Sequence, residues 1–182
     1  MRESKLLARP FRDFIPAGAR ALWDAERVPE ADGIFIAQPC IQDILCRVGD
    51  LSVEHSGTIC PDGIQIFSGT YLAAPVAAHA LCTWHFHPDG AADMSPEDWV
   101  VFLGSSAVVT ALLTRNAGRI FQKSDATREV SRHVRHCLRQ NSAKPALAMR
   151  RVFSLARRLW DCDFERFSDA AIAARLHIRV IT

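Results

Sequence analysis

Two short strings, His85-Phe86-His87-Pro88 and Ser95-Pro96-Glu97-Asp98, constrain this chain more than any other stretch. The first closes a strand. Leu81 to His87 is a short, mostly apolar run, and Pro88 has no N–H with which to continue a β ladder. The second opens a helix. Serine sits at the N-cap, proline follows at the first helical position, and the apolar run Trp99-Val100-Val101-Phe102-Leu103-Gly104 continues it. Side chains alternate along a strand, so His85 and His87 point to one side. Asp98, a short loop later, can supply a third ligand. Two nitrogens, one oxygen and an open fourth position are what a hydrolytic zinc ion needs. A structural zinc site would more often be closed by cysteines, and none lies in this segment.

Each residue alone has a plainer explanation. Single strand histidines are usually structural or exposed. Asp98 sits at the third helical position, where an acid caps the helix and favours its dipole. Ser95 is explained as an N-cap. The spacing of all four together is what argues for a metal site.

Around these strings, short strands and helices alternate. Residues 17–28 read as a helix, with Leu22 and Trp23 available to face a core, and Pro29 stops it. Strands are expected at 33–37, 44–48, 51–55 and 64–67, with Gly49-Asp50 as a turn between the second and third. Residues 73–80 fit a helix or a loop. A further strand is expected at 108–114, then a turn at 116–118, with Ile120 and Phe121 pairing back. Helices at about 126–140 and 146–160 flank the breaker Ser142-Ala143-Lys144-Pro145. A short helix at 168–176 and a strand at 178–181 complete the chain. This mixture is α/β (α+β): a mixed β-sheet flanked by helices. The expected division is a core over residues 1–121 and a basic helical extension over 122–182, packed on the same domain.

At 182 residues the chain can bury one sizeable core. No apolar run approaches the ~18 residues of a membrane span. The N-terminus lacks a signal-peptide core, so a cytoplasmic location is expected. Six cysteines occur without a CxxC pair and are expected to be reduced thiols; Cys40 and Cys46, six apart, are a weak metal signal. The net charge of +2 hides an asymmetry. Residues 1–114 carry 7 Lys+Arg and 14 Asp+Glu, whereas residues 115–182 carry 15 and 6. The basic part reads first as amphipathic helices with solvated arginine faces. A functional reading gives those faces an acidic partner. No nucleic-acid motif accompanies the charge, so nucleic acid is not the expected partner.

The string H-x-H-P, six further residues, then S-x-x-D resembles the signature of the JAMM (MPN+) zinc metalloproteases. These are isopeptidases and peptidases that act on ubiquitin and ubiquitin-like proteins. The resemblance covers about residues 17–121. It implies a JAMM/MPN-type domain with a cytidine-deaminase-like sheet, and one Zn2+ per chain bound by His85, His87 and Asp98. It also gives Ser95 the role of stabilising the tetrahedral intermediate. The family needs an upstream glutamate, usually three residues before a glycine that opens an aliphatic strand. Pro29-Glu30-Ala31-Asp32-Gly33-Ile34-Phe35-Ile36 fits, which makes Glu30 the implied general base. Glu54, in the expected strand 51–55, is its competitor; Asp32 and Glu26 are weaker. Eukaryotic members usually carry serine or threonine between the histidines, where this chain has Phe86. That side chain must face away from the metal, so metal binding is intact while the subfamily is left open.

The resemblance implies a deubiquitinase-like hydrolysis of the bond after the tail of a ubiquitin-like protein. That protein, or its conjugate, is the expected partner. Zinc lowers the pKa of bound water to about 7, Glu30 moves the proton to the leaving amine, and Ser95 steadies the oxyanion. The substrate tail would lie along a sheet edge, and loop 88–94 would border its channel. Composition and size suggest a bacterial member, similar to those encoded beside ubiquitin-like conjugation components, some in antiphage defence. The same site would serve a peptidase that processes a sulfur-carrier protein. A non-catalytic MPN scaffold module is a third reading, but such modules usually lack the ligands kept here. A zinc deaminase needs PCxxC, and Pro39-Cys40 is followed by no second cysteine.

Overall fold

Pro61 and Asp62 turn the chain back on itself, pairing β2 (His55–Cys60) with β3 (Gly63–Ser68) in an antiparallel register that runs from Cys60↔Gly63 to His55↔Ser68. The coordinates are a computed structural model that describes residues 9–28, 34–37 (backbone only), 44–45, 48, 52–69, 80–115 and 117–182. The candidate base Glu30, Asp32, the Gly49-Asp50 turn, residues 73–79, Cys40 and Cys46 lie outside these residues. β1 (Ile34–Ala37) pairs antiparallel with β3, and β4 (Cys82–Phe86) pairs antiparallel with β2. β5 (Val109–Leu113) lies parallel to β4, and β6 (Gly118–Lys123) returns antiparallel to β5. The strand order is β1-β3-β2-β4-β5-β6, with the short β7 (Ile178–Ile181) following. The class is therefore α/β with a mixed sheet. Parallel neighbours need a crossover connection, and residues 87–108 provide it between β4 and β5.

The described chain divides into two compact units. The first comprises residues 1–92, 107–122 and 181–182 and contains β1 to β5 with all of β6 but Lys123. One face of its central strands is apolar: Ile59, Ile64, Ile66, Cys82, Trp84, Phe86, Val109, Ala111 and Leu113 are buried together with Phe11, Phe14 and Trp23. Gly57 is required by this packing. It stands opposite Trp84 in the register, and Trp84 Nε1 donates to Gln65 O at 3.3 Å. A Cβ on residue 57 would fall 1.7 Å from that same oxygen and 2.7 Å from the indole nitrogen.

The first helix is shorter than its sequence pattern. A 3-10 turn over Ala17–Ala19 leads into α1 (Arg20–Ala25), and Glu26 is already extended. Trp23 is buried and its Nε1 donates to Ile59 O at 3.1 Å. Leu22, expected to be available to the core, is exposed, because a one-residue step on a helix turns the side chain through about 100°. The strand expected at 44–48 is corrected as well. Ile44 and Leu45 are helical, and Val48 N donates to Ile44 O at 2.9 Å. Buried residues four apart satisfy both the strand and the helix period, so the spacing alone misled. Ser52 and Val53 form a turn, and the strand expected at 51–55 instead starts at His55.

The second unit comprises residues 93–106 and 123–180. Its helices are α2 (Pro96–Gly104), α3 (Thr127–Gln140), α4 (Pro145–Trp160) and α5 (Asp169–Arg175). They bury Trp99, Val100, Phe102, Leu103, Val130, Val134, Val152, Ala156 and Ile172, while Arg132, Arg139, Arg150, Arg151 and Arg158 stay exposed. Pro145 occupies the first turn of α4, where its missing N–H costs nothing. No helix among the described residues is long and apolar enough to cross a membrane.

Candidate metal centre

Alternation along β4 divides its residues between two environments. Cys82, Trp84 and Phe86 are buried in the apolar core, whereas Thr83 and His85 turn to the opposite face. Phe86 therefore points away from the histidine side, as the spacing requires. The ladder runs one residue further, because His87 N donates to Leu113 O at 2.9 Å. This keeps His87 in phase with His85, and their ring centroids are 4.9 Å apart. Thr83 Oγ1 donates to Thr110 Oγ1 at 3.0 Å on the same polar face. Across β2, Ser56 pairs with His85 and His55 pairs with Phe86.

The loop after β4 fixes one ring. Gly90 takes a positive φ of 77°, a conformation that favours glycine, and its N–H donates to His87 O at 3.3 Å. The folded loop brings the Ala91 carbonyl to 3.1 Å from His87 Nδ1. A carbonyl only accepts, so this bond assigns the proton to Nδ1 and leaves the Nε2 lone pair to face a ligand. Metal-bound histidines are commonly oriented in this way.

In the second unit, Ser95 and Asp98 form a reciprocal capping box. Asp98 N donates to Ser95 Oγ at 3.1 Å; Ser95 N and Oγ donate to Asp98 Oδ2 at 2.9 and 2.7 Å. A carboxylate so held has a defined direction. The serine has a single hydroxyl proton, and it is directed at Asp98, so donation to an oxyanion requires that hydroxyl to rotate. Ligand atoms of His85, His87 and Asp98 all lie within 4.8 Å of one another. Donors around a tetrahedral zinc stand about 3.4 Å apart, given bonds of about 2.0–2.1 Å. The observed spread asks for side-chain adjustments on the order of an ångström. The donor set, two imidazoles and one carboxylate, is thus able to hold a metal ion.

The remaining candidates separate clearly. Glu30 lies outside the described residues. Glu26 is engaged elsewhere: its Oε1 accepts from Leu81 N at 3.0 Å, and burial raises its pKa. Glu54 O accepts from Gly69 N at 2.8 Å, which extends the β2–β3 ladder by one residue. Cys60, Cys82, Cys137 and Cys162 are free thiols. Burial pushes Cys60 up to about 12 and Cys162 up to about 11, which makes both poor nucleophiles. Ala91 leaves no sequence signal because it acts through its backbone carbonyl; the Asp169 carboxylate, which accepts from Met94 N, stands 75 residues further along the chain. No family model, curated protein or solved structure matches this chain.

Proposed function

We propose that this protein is a zinc-dependent isopeptidase or peptidase that cuts after the C-terminal tail of a ubiquitin-like protein. The observation that carries the proposal is the gathering of His85, His87 and Asp98 donors within 4.8 Å, with one imidazole tautomer and the carboxylate direction set by hydrogen bonds. The JAMM-like spacing of the same residues supports the reaction class. A zinc ion held there supplies Lewis acidity and brings the pKa of water to about 7. His85, His87 and Asp98 would hold such an ion. Glu30 takes the proton from the attacking water and returns it to the leaving amine. Ser95, after its hydroxyl turns from Asp98, donates to the developing oxyanion.

The test uses purified full-length protein loaded with one equivalent of zinc. It is offered a lysine-linked conjugate and a linear fusion of a ubiquitin-like protein, and release is followed by mass spectrometry. Cleavage that chelation abolishes, and that Glu30→Gln abolishes while zinc stays bound, is the expected result. Faster cleavage of the linear fusion assigns a processing peptidase. A protein without zinc, or cleavage untouched by chelators, overturns the proposal. Full activity in Glu30→Gln with loss in Glu54→Gln transfers the base role to Glu54.

A further inference from the structure

Asp169 sits seventy-one residues beyond Asp98, the end of the S-x-x-D string, in the first turn of α5, and is 2% exposed. A buried carboxylate is costly unless its oxygens are hydrogen-bonded. Here the donors come from α2 and the residue before its cap. Met94 N approaches Asp169 Oδ1 at 3.2 Å and Oδ2 at 3.0 Å, and Trp99 Nε1 donates to Oδ1 at 2.9 Å. Met94 immediately precedes Ser95, and Trp99 immediately follows Asp98. One carboxylate therefore brackets the capping box from both ends. Trp99 is itself fully buried, so the indole is a stiff arm rather than a loose tether.

We infer that Asp169 is a positioning residue for Asp98, holding the start of α2 so that the Asp98 carboxylate is set for metal before metal arrives. The inference rests on the metal reading above for its functional consequence, while the anchoring itself concerns the metal-free protein. Losing a group that orients a ligand typically costs 10–100-fold in metal affinity. Asp169→Ala removes both acceptors. Asp169→Asn keeps one carbonyl oxygen, which can still accept from Trp99 or Met94. Thr127 provides the control: its buried Oγ1 donates to Leu176 O at 3.1 Å or His177 O at 3.0 Å in the same unit, at the C-terminal end of α5 rather than at its first turn.

The experiment titrates Co2+ into the metal-free wild type, Asp169→Ala, Asp169→Asn and Thr127→Val, reading the ligand-field absorption. Amide hydrogen exchange is measured on the same metal-free samples. The expected result is an affinity 10–100-fold weaker in Asp169→Ala, an intermediate loss in Asp169→Asn, and wild-type affinity in Thr127→Val, with exchange faster at Met94–Trp99 only in the Asp169 variants. Wild-type affinity in both Asp169 variants overturns the inference. So does an equal loss in Thr127→Val, which would mark a general effect of stability. If the wild type itself gives no Co2+ spectrum, the metal reading fails. Exchange then decides the anchor alone: deprotection of Met94–Trp99 in the Asp169 variants supports it, and unchanged protection overturns it. Should Asp169→Ala not fold, Asp169→Asn carries the same comparison.

Discussion

His87 is tied to Ala91 by a 3.1 Å hydrogen bond from Nδ1 to the backbone carbonyl, four residues on along the same loop. The bond does two things. It selects the tautomer whose Nε2 carries the lone pair, and it stops the ring from rotating about its Cβ–Cγ bond. A ligand fixed in this way loses little side-chain freedom when a cation binds.

Removing a ligand is the most direct measurement. Wild-type protein dialysed against zinc should carry about one equivalent, measured by elemental analysis, and His85→Ala, His87→Ala and Asp98→Ala should each fall below about a tenth of that, because one donor of a three-donor set is lost. At free zinc near 1,000 times Kd, chelation should lower wild-type stability by about 4 kcal/mol and leave His87→Ala unchanged. Equal zinc content in all four proteins would contradict the ligand assignment.

Ser95 has two duties that substitutions can pull apart. Ser95→Ala loses the N-cap and should cost about 1 kcal/mol of stability in urea unfolding. Ser95→Gly restores most of the cap, since glycine costs only a few tenths there. Neither variant has a hydroxyl to hold Asp98 Oδ2, so both should bind zinc more weakly than wild type. If Ser95→Gly recovers full affinity, the serine matters only as a cap.

Gly57→Ala should be among the most damaging single-atom additions in the chain. The new methyl would meet Gln65 O at 1.7 Å, and that oxygen is backbone in a paired strand, so neither side can yield cheaply. A loss of about 3 kcal/mol is expected, the upper end for overpacking. For a protein of this size that is a melting temperature lower by roughly 6–12 °C, read by circular dichroism.

Lys123 gives a pH signature. Burial pushes its amine down to about 7, and the neighbouring Arg135 charge adds to the effect. The ordinary lysine value is near 10.4. Between these values the unfolded chain holds a proton that the folded chain has released, so stability rises with pH across the window, and the contribution is lost as pH falls through 7. The urea midpoint of wild type relative to Lys123→Met should therefore increase from pH 7 to pH 10. A flat difference would mean that the ammonium persists, held by Phe102 O at 2.6 Å, Ser105 O at 3.2 Å and the Phe102 ring.

The parts of this fold that depend on near neighbours were readable in the chain. Alternation from Cys82 to His87 separates the core face from the histidine face, and Ser95-Pro96-Glu97-Asp98 announces a cap; both are properties of fewer than eight residues. Residues 44–48 failed because a four-residue spacing of apolar side chains fits a strand and a helix equally. Strand order was not readable, since β1 joins β3 rather than β2 through contacts that no local period encodes. Asp169 was hidden for the same reason. After Ser168 it looks like an ordinary acid in a first helical turn, and its donors lie 70 and 75 residues away.

The interleaving of the second unit bears on how such a protein can be inherited. Asp169 grips the start of α2, and Lys123 Nζ reaches the carbonyls at its far end. Both belong to the part of the chain after residue 122, while α2 belongs to the part before it. A gene fragment ending there would still spell every proposed ligand and would lose the two side chains that hydrogen-bond to both ends of α2. Recombination at that junction would pass on the letters of the motif without the hydrogen bonds that Asp169 and Lys123 make to α2.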